Sequence, residues 1–384
     1  MRVLLVGNYA PDAQQGMLRF AGILRSLLPQ RGIEVVSVAP RVRWGVLMRG
    51  DPNGPAAKWL GYFDKYLLFP GELRRRVAAE AARGPLLVHV ADHSNSIYVP
   101  RRPAIPWVVT CHDMLAVRGA RGEATDCPAS ALGRRLQIAI ISGLSRASGV
   151  ACDSSSTLAD LDRLAPRTPG HLRRRILLGQ NHPYRRPEPA DAISRLAALP
   201  GVPWDRPFLL HVGSNLARKN RSAVLGVLAA LRDRWTGNAV FCGAGLDTEG
   251  TARARELGVE RRVFNLPGPT EAQLEAVYSR AHALVFPSTC EGFGWPVIEA
   301  QACGCPVVAS DRTSLPEVGG DGALYFAPDD VAGMSAAVLS LAVPAARAAA
   351  IERGLANAAR FGQDRMVDEY VAFYADVRNQ TKTP

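Results

Sequence analysis

The stretch His282-Ala283-Leu284-Val285-Phe286-Pro287-Ser288-Thr289-Cys290-Glu291-Gly292-Phe293-Gly294-Trp295-Pro296-Val297-Ile298-Glu299-Ala300 changes character twice in nineteen residues. Its apolar start is a strand, the glycine-bearing centre a loop, and the run after Pro296 a helix, because proline suits a first helical turn where its missing N–H goes unused. Backbone N–H groups at Gly292 to Trp295 therefore converge at a helix N-terminus, where partial positive charge favours anions. Glu291 stands just before that terminus and Glu299 just inside the helix. Either acid alone is explained as a helix stabiliser, but two acids flanking a Gly-Phe-Gly turn point to hydroxyl-rich ligand chemistry.

The same strand, loop and helix alternation extends outward over nearly the whole chain of 384 residues. Strands are expected at 2–7, 34–39, 86–91, 106–111, 149–153 and 176–179, and in the second half at 208–213, 238–242, 282–287 and 305–309. Amphipathic helices lie between them, so the fold class is α/β: two Rossmann-like, doubly wound parallel-sheet domains. Three prolines in Asn181-His182-Pro183-Tyr184-Arg185-Arg186-Pro187-Glu188-Pro189 cannot continue either element and mark a hinge. The domains are thus expected at 1–182 and 190–362.

Composition narrows the function classes. The start, Met1 to Val6, has neither the basic flank nor the length of a signal peptide, and no run approaches a membrane span, which predicts a cytoplasmic protein. The cysteines are odd in number, seven, without a CxxC pair, so disulfides and zinc are not expected. Residues 1–185 carry 26 Lys/Arg against 13 Asp/Glu, and residues 186–384 carry 20 against 22. The excess positive charge of the first half suits an anionic membrane surface, a lipid diphosphate or nucleic acid, although an arginine-rich composition accounts for part of it. Between Arg41 and Leu73, Trp44, Trp59, Tyr62, Phe63, Tyr66 and Phe69 interleave with Arg41, Arg43, Arg49, Lys58 and Lys65. That pattern fits either a membrane- or acceptor-facing insertion or aromatics packed onto the domain.

A second strand, loop and helix unit is Phe208-Leu209-Leu210-His211-Val212-Gly213-Ser214-Asn215-Leu216-Ala217-Arg218-Lys219-Asn220. Two adjacent cations at a helix start oppose the helix dipole, so they call for an anionic ligand. The spacing Glu291-x7-Glu299, with Gly304-x-Pro306-Val307-Val308-Ala309-Ser310 and Pro316-Glu317-Val318-Gly319-Gly320 downstream, resembles family four of the retaining glycosyltransferases, which have the GT-B fold with two domains facing a central cleft. The similarity is strong from Phe208 to Asp330 and weaker over the first half.

That resemblance implies a nucleotide-sugar donor, UDP- or GDP-linked, and neither cofactor nor metal. Glu299 would bind the ribose hydroxyls; Glu291 and the N–H groups of Gly292, Phe293 and Gly294, with Val297, would hold the donor. Arg218 and Lys219, beside Gly213 and Ser214, would neutralise the diphosphate. Ser214 replaces the arginine that the family more often has directly after the glycine. Val263 would lie near the nucleobase. In the first domain Gln15 and Gly16 match the family's donor-closing loop, although its usual Gly-Gly is absent. His112, at the carboxyl end of a strand where ligands bind in doubly wound folds, would touch the transferred sugar or its phosphate. His93 and Asp113, with His89, Asp92 and Ser94 nearby, would line the acceptor side. Residues 363–384 would form a helix crossing back to the first domain.

Asp160-Leu161-Asp162 imitates a metal-binding Asp-x-Asp but sits in a helix and reads as surface. Cys242-Gly243-Ala244-Gly245 lacks the third glycine of a dinucleotide fingerprint, which argues against a nicotinamide oxidoreductase. The expected activity is transfer of a hexose from UDP-glucose or GDP-mannose to an acceptor glycan, with a lipid-linked glycan of polysaccharide assembly preferred. A soluble metabolite acceptor and a non-catalytic sugar-nucleotide-binding protein are the alternatives. Peripheral contact with an anionic membrane is expected, and nucleic acid is not.

Overall fold

The computed structural model describes residues 1–43, 60–167 and 171–380. Trp44, Arg49, Lys58 and Trp59 of the aromatic and basic stretch lie outside those residues. Contacts divide the chain into two compact units, Met1–Asn181 with Gln363–Pro384, and His182–Gly362.

The first unit holds β1 (Arg2–Val6), β2 (Glu34–Val38), β3 (Leu86–Val90), β4 (Trp107–Cys111), β5 (Gly149–Cys152) and β6 (Leu172–Arg175), all parallel in the order β2-β1-β3-β4-β5-β6. Strands β3 and β4 are buried throughout, as parallel strands covered by helices on both faces must be. The second unit holds β7 (Phe208–Gly213), β8 (Asn238–Gly243), β9 (Val263–Leu266), β10 (Ala283–Phe286), β11 (Val307–Ser310) and β12 (Ala323–Phe326), parallel in the order β12-β11-β10-β7-β8-β9. Strand order reverses between β1 and β3 in one sheet and between β7 and β10 in the other. Loops leaving the carboxyl ends of such neighbours diverge and open a crevice for ligand.

Two unanticipated strands, β9 and β12, are four-residue edge strands only partly buried, although β12 is apolar throughout. One strand is misplaced in the sequence reading: residues 176–179 are not a strand, and β6 is Leu172-Arg173-Arg174-Arg175 instead. Three arginines hide an edge strand because their partners come from elsewhere. The Arg173 guanidinium, fully buried, donates to the carbonyls of Leu161 at 3.0 Å and Ala165 at 2.8 Å, at the end of the helix Ser155–Leu164.

Part of the aromatic and basic stretch is helical from residue 60 to 81. Phe69 packs into the core and Tyr66 stacks on Tyr62, whereas Phe63 and Leu67 are exposed. The packing reading therefore holds for Phe69, while Phe63 and Leu67 lie on the surface.

The last helix, Gln363–Gln380, docks on the first sheet. Tyr370, Phe373 and Tyr374 are fully buried on it. The Tyr374 hydroxyl meets His89 Nδ1 at 2.7 Å, His89 Nε2 meets Thr110 Oγ1 at 2.9 Å, and Thr110 meets the Tyr370 hydroxyl at 2.9 Å. Gly149 allows this approach, since a Cβ there would sit 2.8 Å from Phe373 and from Val377. His89 is thus a buried clamp for the helix and not an acceptor-facing residue; burial holds its pKa down to about 3, so it is neutral. Replacing Tyr374 by Phe leaves a ring nitrogen of His89 buried without its partner. Urea unfolding should show a loss of roughly 1–3 kcal/mol; an unchanged midpoint at unchanged slope would mean that this bond contributes nothing.

Candidate functional site

In the second unit the two loops that matter leave β7 and β10, the neighbours that flank the reversal of strand order. After β7 the chain turns at Gly213 and forms a single helical turn, Ala217–Lys219, before the helix Arg221–Ala230. After β10 it runs through Glu291 to Gly294, whose φ of +108° starts the helix Trp295–Ala302. A side chain at Gly294 would be strained there and would meet Leu315 at 2.7 Å.

Lys219 Nζ donates to Glu291 Oε1 at 2.7 Å, joining the two loops. Their side chains are 12% and 8% exposed, and the ammonium also lies 5.1 Å from the Phe286 ring centroid. A charge pair so far withdrawn from water depends on its mutual contact, because either partner alone would be a buried uncompensated charge. The backbone locks the loops further: Thr289 N–H donates to the Arg218 carbonyl at 2.8 Å. Asn220, left-handed at φ +49°, donates through Nδ2 to the Pro287 carbonyl at 3.2 Å and the Pro328 carbonyl at 2.8 Å.

The Glu291 loop is braced from the following segment. Thr313 Oγ1 accepts from the Glu291 N–H at 3.0 Å, and Ser314 Oγ donates to the carbonyls of Glu291 at 3.1 Å and Phe293 at 2.7 Å. Thr313 has φ +50°, an unfavourable conformation for a β-branched residue that such bracing sustains.

Arg221 performs the same service on the other side. It is buried, and it donates to the carbonyls of Gly213 at 2.6 Å, Ala244 at 2.8 Å and Gly245 at 3.1 Å, and to the Asn215 side chain. It thereby ties the turn after β7 to the turn after β8. None of Thr313, Ser314 and Arg221 was singled out from the sequence. Their signal, an Arg three residues past a basic turn and a Thr-Ser pair before Leu315-Pro316, is legible only once the partners are known.

Glu299 is buried in the helix Trp295–Ala302, and its Oε2 accepts from the Tyr278 hydroxyl at 2.8 Å. Burial, with Glu299 beside it, keeps that tyrosine well above its ordinary pKa, so it remains a donor. Gly292 and Phe293 lie in the loop; the Phe293 ring packs edge-on to Trp295 and Phe361. Val263 begins β9, and Ser214 follows the Gly213 turn, both half-buried. Val297 needs correcting. Its side chain is fully buried in the core and its N–H is already bonded to the Gly294 carbonyl at 3.0 Å, so it offers nothing to a donor.

In the first unit the loops after β1 and β3 also flank a reversal of strand order. Asn8 Nδ2 donates to Asp92 Oδ2 at 2.6 Å, and Asn95 Nδ2 donates to Asn8 Oδ1 at 3.1 Å. Gln15 and Gly16 are the first residues of the helix Gln15–Leu27, following a left-handed Ala13. His93 opens a short helical turn beside Asp92, 3.3 Å from it, and Asp113 Oδ1 accepts the Leu115 N–H at 3.0 Å.

His112 is buried with both ring nitrogens engaged: Nδ1 meets Asp153 Oδ2 at 2.5 Å and Nε2 meets the Ala91 carbonyl at 2.9 Å. The Ala91 carbonyl only accepts, so Nε2 carries a proton, and a second proton is shared between Nδ1 and Asp153 Oδ2, whose own pKa burial raises. Burial opposes the charge, but Asp153 outweighs it and lifts the pKa to about 9. A pKa raised on folding stabilises fully below the ordinary histidine value near 6.5 and loses that effect as pH rises through 9. Unfolding free energy should therefore fall by a few kcal/mol between about pH 6.5 and 9.5 in the parent. In Asp153→Asn this pH-dependent component should be largely gone, and equal slopes in the two proteins would refute the charged pair.

With this geometry in view, the comparisons place the chain. The family model for glycosyl transferases group 1 matches residues 206–343. A D-inositol 3-phosphate glycosyltransferase of Mycolicibacterium paratuberculosis is 31% identical over 389 aligned residues, covering 90% of this chain and 82% of that protein. Among solved structures, the sucrose-phosphate synthase of Thermosynechococcus elongatus superposes with a TM-score of 0.73 at 21% identity over 99% of both chains. Anabaena HepE, determined with UDP and glucose, gives 0.67 at 18% identity over 98% of this chain and 99% of its own. The chain belongs to the group 1 glycosyltransferases, of the family-four type, and has the GT-B fold of two six-stranded parallel sheets.

Proposed function

We propose that the chain transfers a hexose from a nucleoside-diphosphate sugar, of the UDP-glucose or GDP-mannose type, to an acceptor hydroxyl with retention at the anomeric carbon and without a metal. The observation that carries this reading is the Lys219–Glu291 pair, set where the loops of β7 and β10 part. Lys219 presents its ammonium to the diphosphate while Glu291 accepts from a hydroxyl of the donor sugar. Glu299, already oriented by Tyr278, accepts from the ribose. Arg218, on the same turn, adds a second cation, and the N–H groups of Gly292 and Gly294 approach the sugar closely because no side chain intervenes.

As the anomeric bond breaks, negative charge grows on the β-phosphate. Fixed cations stabilise it more in the transition state than in the bound donor, which lowers the barrier. The leaving phosphate oxygen takes the acceptor proton on the face from which the nucleotide departs, so attack on that face retains configuration with no enzyme nucleophile. The direct sugar or phosphate contact expected of His112 is not kept, because both its ring nitrogens are engaged and its charge is balanced by Asp153. The UDP and glucose seen in HepE support a nucleotide-sugar donor.

Lys219→Ala should lower kcat ten- to a hundredfold, a loss of roughly 1.5–3 kcal/mol from one charge-assisted contact. Turnover equal to the parent's would remove Lys219 from the mechanism. Thermal shifts with UDP-, GDP- and ADP-sugars identify the base, the correct donor being the one that raises Tm in the parent and not in Lys219→Ala.

For the acceptor we propose a lipid-linked glycan at the inner face of the cell membrane. Exposed Phe63 and Leu67, with exposed Arg74 and Arg75 further along the same helical stretch, support contact with an anionic bilayer. The relative's name favours a second reading, a soluble phosphorylated polyol, which the basic first unit also suits. Vesicles containing anionic lipid should bind the parent in a salt-sensitive way and bind Phe63→Ser/Leu67→Ser at least several-fold less. No binding at low salt leaves the soluble acceptor.

A further inference from the structure

A second concavity of about 360 Å³ opens at the opposite end of the second sheet. Pro207 and Phe208 at the amino end of β7, His282 just before β10 and Gly304 ahead of β11 line it, whereas the Lys219–Glu291 pair lies beyond the carboxyl ends of the same strands. Its polar lining is dominated by Arg186, Arg206, Arg280 and Arg347, against a single acid, Asp205. Among the described residues, no carboxylate lies within ion-pair distance of any of the four guanidinium groups. Such gathering is unexpected in a half of the chain where acids outnumber bases.

Several features hold the arginines in place. Arg347 donates to the carbonyls of His282 at 2.6 Å and Ala281 at 2.9 Å, which fixes its planar head at the base of the concavity. Gly304, left-handed at φ +71°, has no side chain where the Arg186 stem passes; a Cβ would lie 3.1 Å from Arg186 Cδ. Burial, with the like charges of Arg186 and Arg280, holds the Arg347 pKa below its ordinary value. Trp204, fixed by its indole N–H to the Leu199 carbonyl at 2.9 Å, forms one apolar wall.

We infer that this concavity is an anion site for a small soluble phosphorylated compound, separate from the donor site. Guanidinium forks match phosphate oxygens in pairs, and the volume lies in the range of roughly 300–1,000 Å³ usual for small-molecule sites. The concave shape, closed on one side by an indole, suits a compact di- or triphosphate better than an extended backbone or a flat bilayer. The site stands whether or not Lys219 serves the donor.

The test uses inorganic pyrophosphate as the probe on the full chain, by calorimetry at low salt. Lys219→Ala, which disables the donor turn, should still bind one pyrophosphate. Adding Arg206→Ala and Arg280→Ala should weaken that site at least tenfold while leaving Tm equal or higher, since both side chains are exposed and unpaired with acid. Arg206→Gln/Arg280→Gln, which keeps most of each stem, should show the same loss. In an otherwise unaltered chain the double substitution should leave kcat for transfer unchanged when no pyrophosphate is added. Pyrophosphate binding unaffected by both double substitutions overturns the inference. So does an equal rise in Tm with sodium chloride at matched ionic strength, which would mean charge screening only.

Discussion

One ion pair organises the second unit. Lys219 and Glu291 come from loops 72 residues apart in sequence, and each is largely withdrawn from water. Neither charge is tolerable there alone, so the loops of β7 and β10 must close on each other. The bracing follows from that requirement: Asn220 ties the basic turn to Pro287, Thr313 and Ser314 hold the Glu291 backbone, and Arg221 fixes the turn after β7 to that after β8. The result is a pair of braced loops at a reversal of strand order, the feature on which the proposed donor site rests.

The first unit solves the corresponding problem with different chemistry. Its loops after β1 and β3 are joined by the Asn8–Asp92 hydrogen bond, an uncharged donor on a carboxylate. Its buried His–Asp pair is placed one strand further on, at His112, held by Asp153 and the Ala91 carbonyl. The last helix completes this unit through His89, Thr110, Tyr370 and Tyr374, a buried polar chain in which every member has a partner.

Much of this was legible from residues alone. Apolar runs and breaks placed ten strands, nine of them where the structure has them, because central parallel strands are buried on both faces and must be apolar. Three of the four edge strands escaped: β6 is arginine-rich and β9 and β12 are partly exposed, whereas the valines of β2 marked the fourth. In the candidate site, the Glu-Gly-Phe-Gly turn and the Arg-Lys pair stood out because their chemistry is anomalous for a helix start. Val297 was misjudged because proximity to the turn in sequence does not reveal that its N–H is already bonded. Arg221, Thr313 and Ser314 were invisible because their meaning lies in partners on other loops, up to 24 residues away, or in a backbone angle.

The account rests on Lys219 and Glu291 acting as one unit toward the donor. A double-mutant cycle of Lys219→Ala and Glu291→Ala, read as kcat/KM for the nucleotide sugar, tests this directly. The account predicts a double variant far less impaired than the product of the two single losses, with a coupling on the order of 1–3 kcal/mol. Losses that simply multiply, in proteins of unchanged fold, would contradict it.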